Sequence, residues 1–175
     1  MDELWDLYDE NRLPLGITWT RGNDLPKGTY HLVIGVWVIN TDGRILLTLR
    51  DAKKELWPLK WENTGRSALC GETSAEAAIR ELFEETGLVV SSKDLLHLCS
   101  FTYPGRAHVD NYAVILNISL DKLQLQQGET IDARLVTFDE LLTLRDEGKL
   151  AEPLNDRIPV LSDKLLGIIR SLEKR

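Results

Sequence analysis

The sequence predicts an α/β sandwich built on a mixed sheet, and three observations carry that reading. "YHLVIGVWVIN" (Tyr30–Asn40) is apolar on both alternations, as a strand buried on two faces must be. Thr73 and Glu76 form a capping box that opens an amphipathic helix, and Gly87 stands where a left-handed terminator closes it. Hairpin signals and helical segments are interleaved along the chain, which points to helices laid on a sheet with antiparallel pairs.

The elements follow in order. The first 29 residues read as short strands around turns at "DENR" and "RGND". After the central strand, Asp42-Gly43 is a hairpin signal and "RILLTLR" returns as its partner. "WPLKWENTGRSALCGE" is a loop-rich segment that leads into the capped helix. Further strands are expected over Leu95–Thr102, Val109–Ile118 and Ile131–Phe138. Thr137 and Glu140 make a second capping box, opening a short helix at "FDELLTL". A last helix is expected over 157–173, where apolar residues recur at helical spacing. No repeat or linker divides the chain, so residues 1–175 are read as one domain.

Composition narrows the function. With net charge −7, the chain has no basic stripe to release counterions from a nucleic-acid duplex. An anionic substrate must therefore be met by a few placed Lys and Arg or by a metal. Two cysteines, Cys70 and Cys99, make no disulfide framework and fit a reducing compartment. The start "MDELWDLYDENR" has no secretory signature, and no apolar run is long enough to span a bilayer. A cytoplasmic protein is expected, with no membrane partner.

The helix "IRELFEETGL" (Ile79–Leu88) poses a chemical question. At 100° per residue, Ala75, Ala78, Ile79, Leu82 and Phe83 share one arc, the expected core side. Glu81, Glu84 and Glu85 fall opposite, where like charges repel by about 0.2–0.5 kcal/mol per pair. Ala77 lies between them, small enough to leave the patch open, and Arg80 borders it within reach of Glu76 and Glu84. One reading is a solvated acidic face. The other is a site for Mg²⁺ or Mn²⁺, hard cations that take oxygen ligands.

The wider pattern separates the two. In "GETSAEAAIRELFEETGL", Glu72 stands eight positions before Arg80, followed by Glu-Leu-x-Glu-Glu-x-Gly-Leu. This resembles the signature box of the Nudix hydrolases. The resemblance implies a Nudix-type α/β/α sandwich, a loop–helix–loop that binds divalent cations, and cleavage of a diphosphate linked to another moiety. It implies Glu81, Glu84 and Glu85 as metal ligands, Glu72 as a further metal ligand or a group that supports the ligands from behind, and Arg80 orienting the carboxylates. Water attack on a phosphoanhydride also needs a base, often drawn from beyond the box, and Glu129 in "QQGETIDARLVTF" is the candidate. Arg50, Lys54 and Arg66 are the candidate phosphate-binding residues, with Lys53 and Lys60 as weaker ones; Trp19, Trp57 and Trp61 are open to either ligand stacking or core packing.

"YHLVIGVWVINTDGRILLTLRDAKKELWPLKWENTG" is similar to the branch that contains isopentenyl-diphosphate isomerase. Isomerases of that type follow the Trp-x-Asn-Thr/Ser element with a Cys and a His-Pro metal site. Here Trp61–Thr64 continue as Gly65, Arg66, Ser67 and Ala68, so both are missing. Cys70 is out of register and reads as an ordinary loop residue; His31 matches an isomerase ligand but reads as a satisfied core histidine. The expected function is Mg²⁺-dependent hydrolysis of a nucleoside diphosphate derivative or similar small organic diphosphate. The isomerase and a non-catalytic diphosphate-binding module are the alternatives, and a homodimer is left open. Arg66 also departs from the box, which calls for Gly there. Either it strains a loop that needs a glycine-like backbone, the favoured reading, or its guanidinium serves a phosphate. Leu59 likewise stands where Gly often follows Trp-Pro.

Overall fold

A computed structural model of the chain describes residues 3–174; residues 1, 2 and 175, the ends of the expected 1–175 span, lie outside it. Strands β1 (Leu4–Tyr8) and β2 (Pro14–Thr20) form a separate antiparallel ribbon around the "DENR" turn. The main sheet contains β3 (His31–Asn40), β4 (Ile45–Arg50), β5 (Trp61–Glu62), β6 (Leu96–Tyr103), β7 (Ala107–Leu116) and β8 (Thr130–Val136). Its order is β5-β4-β3-β7-β6, with β8 paired to β4. β3 and β7 run parallel and the other pairs are antiparallel, so the sheet is mixed.

β3 explains the layering. Leu32, Ile34, Val36 and Val38 pack with Ala77, Ala78 and Leu82 of helix α1 (Ser74–Thr86) on one face. Trp37 and Ile39, on the opposite alternation, pack with helix α2 (Phe138–Asp146) and helix α3 (Pro153–Glu173) on the other. The result is an α/β/α sandwich with a core on each side of one strand. No helix of the described residues is long and apolar enough to cross a membrane.

The expected β3–β4 hairpin forms only at its closed end, where Ile39 faces Ile45. Beyond that pair the strands splay, because residues 61–68 enter the gap. Glu62 and Trp61 pair with Thr48 and Leu49 of β4, while Thr64 and Ser67 bridge to Val36 and Val33 of β3. Backbone bonds from Val36 N–H to Thr64 O (2.7 Å) and from Ile34 N–H to Arg66 O (2.8 Å) fix this wedge. A segment read as loop thus behaves as an irregular inner strand, and its pairing was illegible because it runs through Gly, Asn and Thr.

Both capping boxes form as expected, and Gly87 closes α1 in the left-handed region at φ 74°. α3 starts at Pro153 rather than at 157, since proline is favoured in a first helical turn. The expected core face of α1 holds in part: Ala78 and Leu82 are fully buried, but the face is rotated from the expected one. Phe83 is 54% exposed, whereas Ala77 is fully buried and Glu81 and Glu85 are 1% and 6% exposed. Small alanines let the helix approach the sheet closely, and that turns the two acids inward rather than leaving Ala77 beneath an open patch.

Candidate active site

What makes the buried carboxylate of Glu81 tolerable is a pair of guanidiniums. Arg80 Nε donates to Glu72 Oε1 at 2.5 Å and its Nη2 to Glu72 Oε2 at 2.9 Å, a two-pronged grip on the loop before α1. Its Nη1 reaches Glu81 Oε1 at 2.5 Å and Glu84 Oε2 at 3.1 Å. Arg80 does not pair with Glu76, whose carboxylate is spent on the Thr73 cap. From the wedge, Arg66 sets Nη1 4.0 Å from Glu81 Oε2 and Nη2 3.2 Å from Glu129 Oε1. Glu129 also pairs with Lys54. All the predicted acids except Glu85 therefore touch a cation of the protein itself.

Burial and ion pairing push the acids in opposite directions. Burial, then the nearby Glu62 and Glu81, push the Glu85 carboxyl well above the usual carboxylate range. Glu81 is raised as well, by burial against the pull of Arg80 and Arg66. Glu72 is held low, first by its bond to Arg80. For Glu129 burial acts upward, but Lys54 and Arg66 together outweigh it and leave it low.

Glu85 and Glu129 open into one cleft of about 1050 Å³, at the upper end of what holds small organic ligands. Lys54, Glu62, Arg66, Glu85 and Glu129 line it. Arg50 lines it too, but its Nη1 is taken by both oxygens of Glu62, at 2.7 and 2.8 Å, and its Nε by the Leu56 carbonyl. Arg50 therefore holds Glu62 in place with part of its guanidinium, and its Nη2 makes no hydrogen bond among the described residues. Trp57 faces the cleft with its Nε1 on Glu152, Trp61 lies under Arg134 at 4.1 Å, and Trp19 bonds the Asn23 carbonyl. Lys53 and Lys60 do not line it.

The backbone corrects the reading of Arg66. Its φ is not positive, so the loop holds arginine there without left-handed strain. Space is closed one residue earlier, where a Cβ on Gly65 would stand 2.9 Å from the Ile34 carbonyl oxygen. Left-handed strain sits instead at Trp57 (φ 50°) and Leu59 (φ 57°), the second of these at the Gly-like position noted in the sequence. His31 is buried and stacked on Trp5 at 4.1 Å, but its Nδ1 has no hydrogen-bond partner, so it is not the satisfied core histidine expected. Cys70 is exposed and turned to Asp6.

Sequence reading missed Glu62, which pairs with Arg50 and raises Glu85, and Arg157 on α3, which is buried against the same cleft. Glu62 lies inside the quoted "WENT" element and was legible as an acid beside the wedge. Arg157 gave no signal, since burial of a helical arginine depends on what the helix packs against.

A divalent cation is tested by the donors present. Glu81 Oε2 and Glu85 Oε2 are buried without hydrogen-bond partners, and the surrounding donor set is carboxylate oxygen throughout. Among the described residues no three acids converge closely enough to ligate a cation, because Arg80 and Arg66 stand between them. The donor chemistry fits Mg²⁺ or Mn²⁺.

A fold of this class, with this helix at its centre, matches a known family. The NUDIX domain model matches residues 29–156. The chain is 41% identical to an uncharacterised Nudix hydrolase of Listeria monocytogenes over 149 residues, 84% of this chain and 87% of that protein. It is 32% identical to an isopentenyl-diphosphate Delta-isomerase of Salmonella paratyphi B over 90 residues, 49% of this chain and 48% of the other. A crystal structure from Deinococcus radiodurans superposes with a TM-score of 0.76 at 20% identity, covering 91% of this chain and 99% of that one. The chain belongs to the Nudix family, and it is a Nudix hydrolase.

Proposed function

We propose that this hydrolase cleaves the phosphoanhydride bond of a nucleoside diphosphate derivative or similar small organic diphosphate, in a reaction that depends on Mg²⁺ or Mn²⁺. The observation that carries the proposal is the pair of buried carboxylate oxygens on Glu81 and Glu85, left without hydrogen bonds, with Glu85 in the wall of a cleft of ligand size. Glu72, Glu81, Glu84 and Glu85 would hold the cations, which when bound neutralise phosphate oxygens and acidify water. Arg80 keeps these carboxylates aligned through its contacts to Glu72, Glu81 and Glu84. Lys54 and Arg66 line the cleft with charge to give to phosphate oxygens. Glu129, ionised beside both, orients the attacking water and takes its proton.

The test is a diphosphate panel assayed by phosphate release with and without Mg²⁺. Turnover is expected for at least one member, abolished by EDTA. Glu129→Gln should lower kcat with Mg²⁺ affinity unchanged; lost Mg²⁺ affinity would instead make Glu129 a ligand. Tight binding without turnover across the panel would favour the non-catalytic module.

A further inference from the structure

Arg157 has no place in this chemistry. It lies in the second turn of α3, on the side of the sheet opposite α1, and is only 7% exposed. Its Nε is buried without a hydrogen-bond partner, and among the described residues it forms no ion pair. After burial the first group to act on it is the Tyr103 hydroxyl, a neutral partner, and the acid whose charge reaches it, Glu62, is already engaged by Arg50. Asp156, its neighbour on α3, accepts from Tyr103 at 3.5 Å.

The surroundings are shaped to keep the guanidinium there. A Cβ on Gly35 of β3 would stand 3.0 Å from Arg157 Nη1, and one on Gly65 of the wedge 3.5 Å from it. Two glycines thus provide the room in which the charged group rests on backbone. The other atoms close to the Gly35 position belong to amides, Asn111 at 2.9 Å and Asn63 at 3.3 Å, and not to acids. Burial strips water from the guanidinium and pushes Arg157 down from the ordinary arginine range. An uncompensated buried charge is costly, and a protein that retains one stands to recover that cost when a counter-ion arrives.

We propose that Arg157, at the floor of the cleft beside Gly35 and Gly65, is an oxyanion subsite separate from the acidic cation site, taking a phosphoryl or carboxylate group on the part of the substrate that lies away from the scissile bond. That the group belongs to a diphosphate rests on the function proposed above; the anion site itself does not. The N-terminal turn of α3 lines the same cleft through Pro153 and Leu154, and its positive end favours the same charge. Lys54 and Arg66 share Glu129 as a counter-ion, whereas among the described residues Arg157 has no carboxylate within ion-pair distance.

The test uses inorganic phosphate as probe, in EDTA, so that neither a cation nor turnover enters the readout. In ¹⁵N-labelled wild-type protein the Arg157 Nε–H resonance, assigned by through-bond correlation, is expected to move along a saturable phosphate titration. Arg157→Met should weaken phosphate binding by about tenfold to a hundredfold, the value of one charge-assisted contact, while Arg66→Met weakens it less. An acetate titration separates the sources: movement with phosphate alone assigns a phosphoryl group, and movement with both assigns any oxyanion. An Arg157 Nε–H signal that stays fixed across both titrations overturns the proposal, even if Arg157→Met does not fold. A phosphate affinity equal in wild type and Arg157→Met does the same. Phosphate binding at Arg157 in a protein that hydrolyses nothing would sink the proposed function and leave this site standing.

Discussion

The guanidinium of Arg66 stands 3.2 Å from Glu129, joining the wedge between β3 and β4 to the loop before β8. The same group lies 4.0 Å from Glu81, so one side chain spans two acids brought together from distant parts of the chain. Because its backbone is unstrained, Arg66→Gly relieves nothing and removes a buried positive charge. In EDTA the variant is expected to lose on the order of 1–2 kcal/mol, and in saturating Mg²⁺ less, since a cation then supplies the charge. Thermal unfolding in the two buffers measures this, and a Gly variant more stable than wild type in EDTA would reverse the assignment.

Glu84→Gln and Glu85→Gln should each cut hydrolysis by orders of magnitude with the fold intact. They differ without metal. The Glu85 carboxyl titrates above its unfolded value, so ionising it opposes folding as pH rises between the two values. In EDTA at pH 8, Glu85→Gln should therefore unfold at a higher temperature than wild type, with the gap closing near pH 4. Addition of Mg²⁺ should stabilise wild type more than either variant. Near-normal turnover in both would remove the cation site from α1.

His31 is pushed down to about 4 by burial first and then by Arg106 and Arg21, against 6.5 in an unfolded chain. Between these values the unfolded state binds the extra proton, so stability is complete above pH 6.5 and drains away as pH falls toward 4. The loss is on the order of 2–3 kcal/mol. His31→Gln should flatten the pH dependence of the melting temperature in that window; an unchanged slope would place the titrating group elsewhere.

Leu59 holds φ at 57° and is 55% exposed, so its side chain gives up little when removed. Leu59→Gly should raise stability by about 1 kcal/mol, the cost of a left-handed conformation for a side-chain-bearing residue. Chemical denaturation midpoints decide it, with a lower midpoint for the Gly variant counting against the strain.

Isomerisation of isopentenyl diphosphate should be undetectable. Arg66 occupies the wedge close after Thr64, and Cys70 is exposed and bonded to Asp6. Interconversion of the two isoprenoid diphosphates, followed by NMR, would restore the isomerase reading.

Much of this was legible in the chain because it is local. Thr73 with Glu76, Thr137 with Glu140, and Gly87 each act within a few residues, and all took their expected form. The box spacing led to a family that the comparisons bear out. What failed was orientation. Hydropathy ranked Phe83 inside and Glu85 outside, yet α1 lies on the sheet through its alanines, and Arg80 and Arg66 take over the solvation of Glu81. The splaying of β3 from β4 was invisible for the same reason, since only the tertiary arrangement shows that residues 61–68 fill the gap.

The parallel pairing of β3 with β7 sets a timetable. His31 aligns with Ala107, so the sheet on which α1 lies cannot close until most of the chain has left the ribosome. α1, at residues 74–86, is synthesised before β7 and well before α3. The nascent chain therefore carries its acidic helix in water, where mutual repulsion among the glutamates is screened. Docking of β7 and α3 completes the walls of the cleft, and only then does the electrostatic tension that a cation relieves come into being. A chain that stalls before residue 107 holds every residue of the signature box but lacks the walls that β7, Glu129 and α3 add to the cleft.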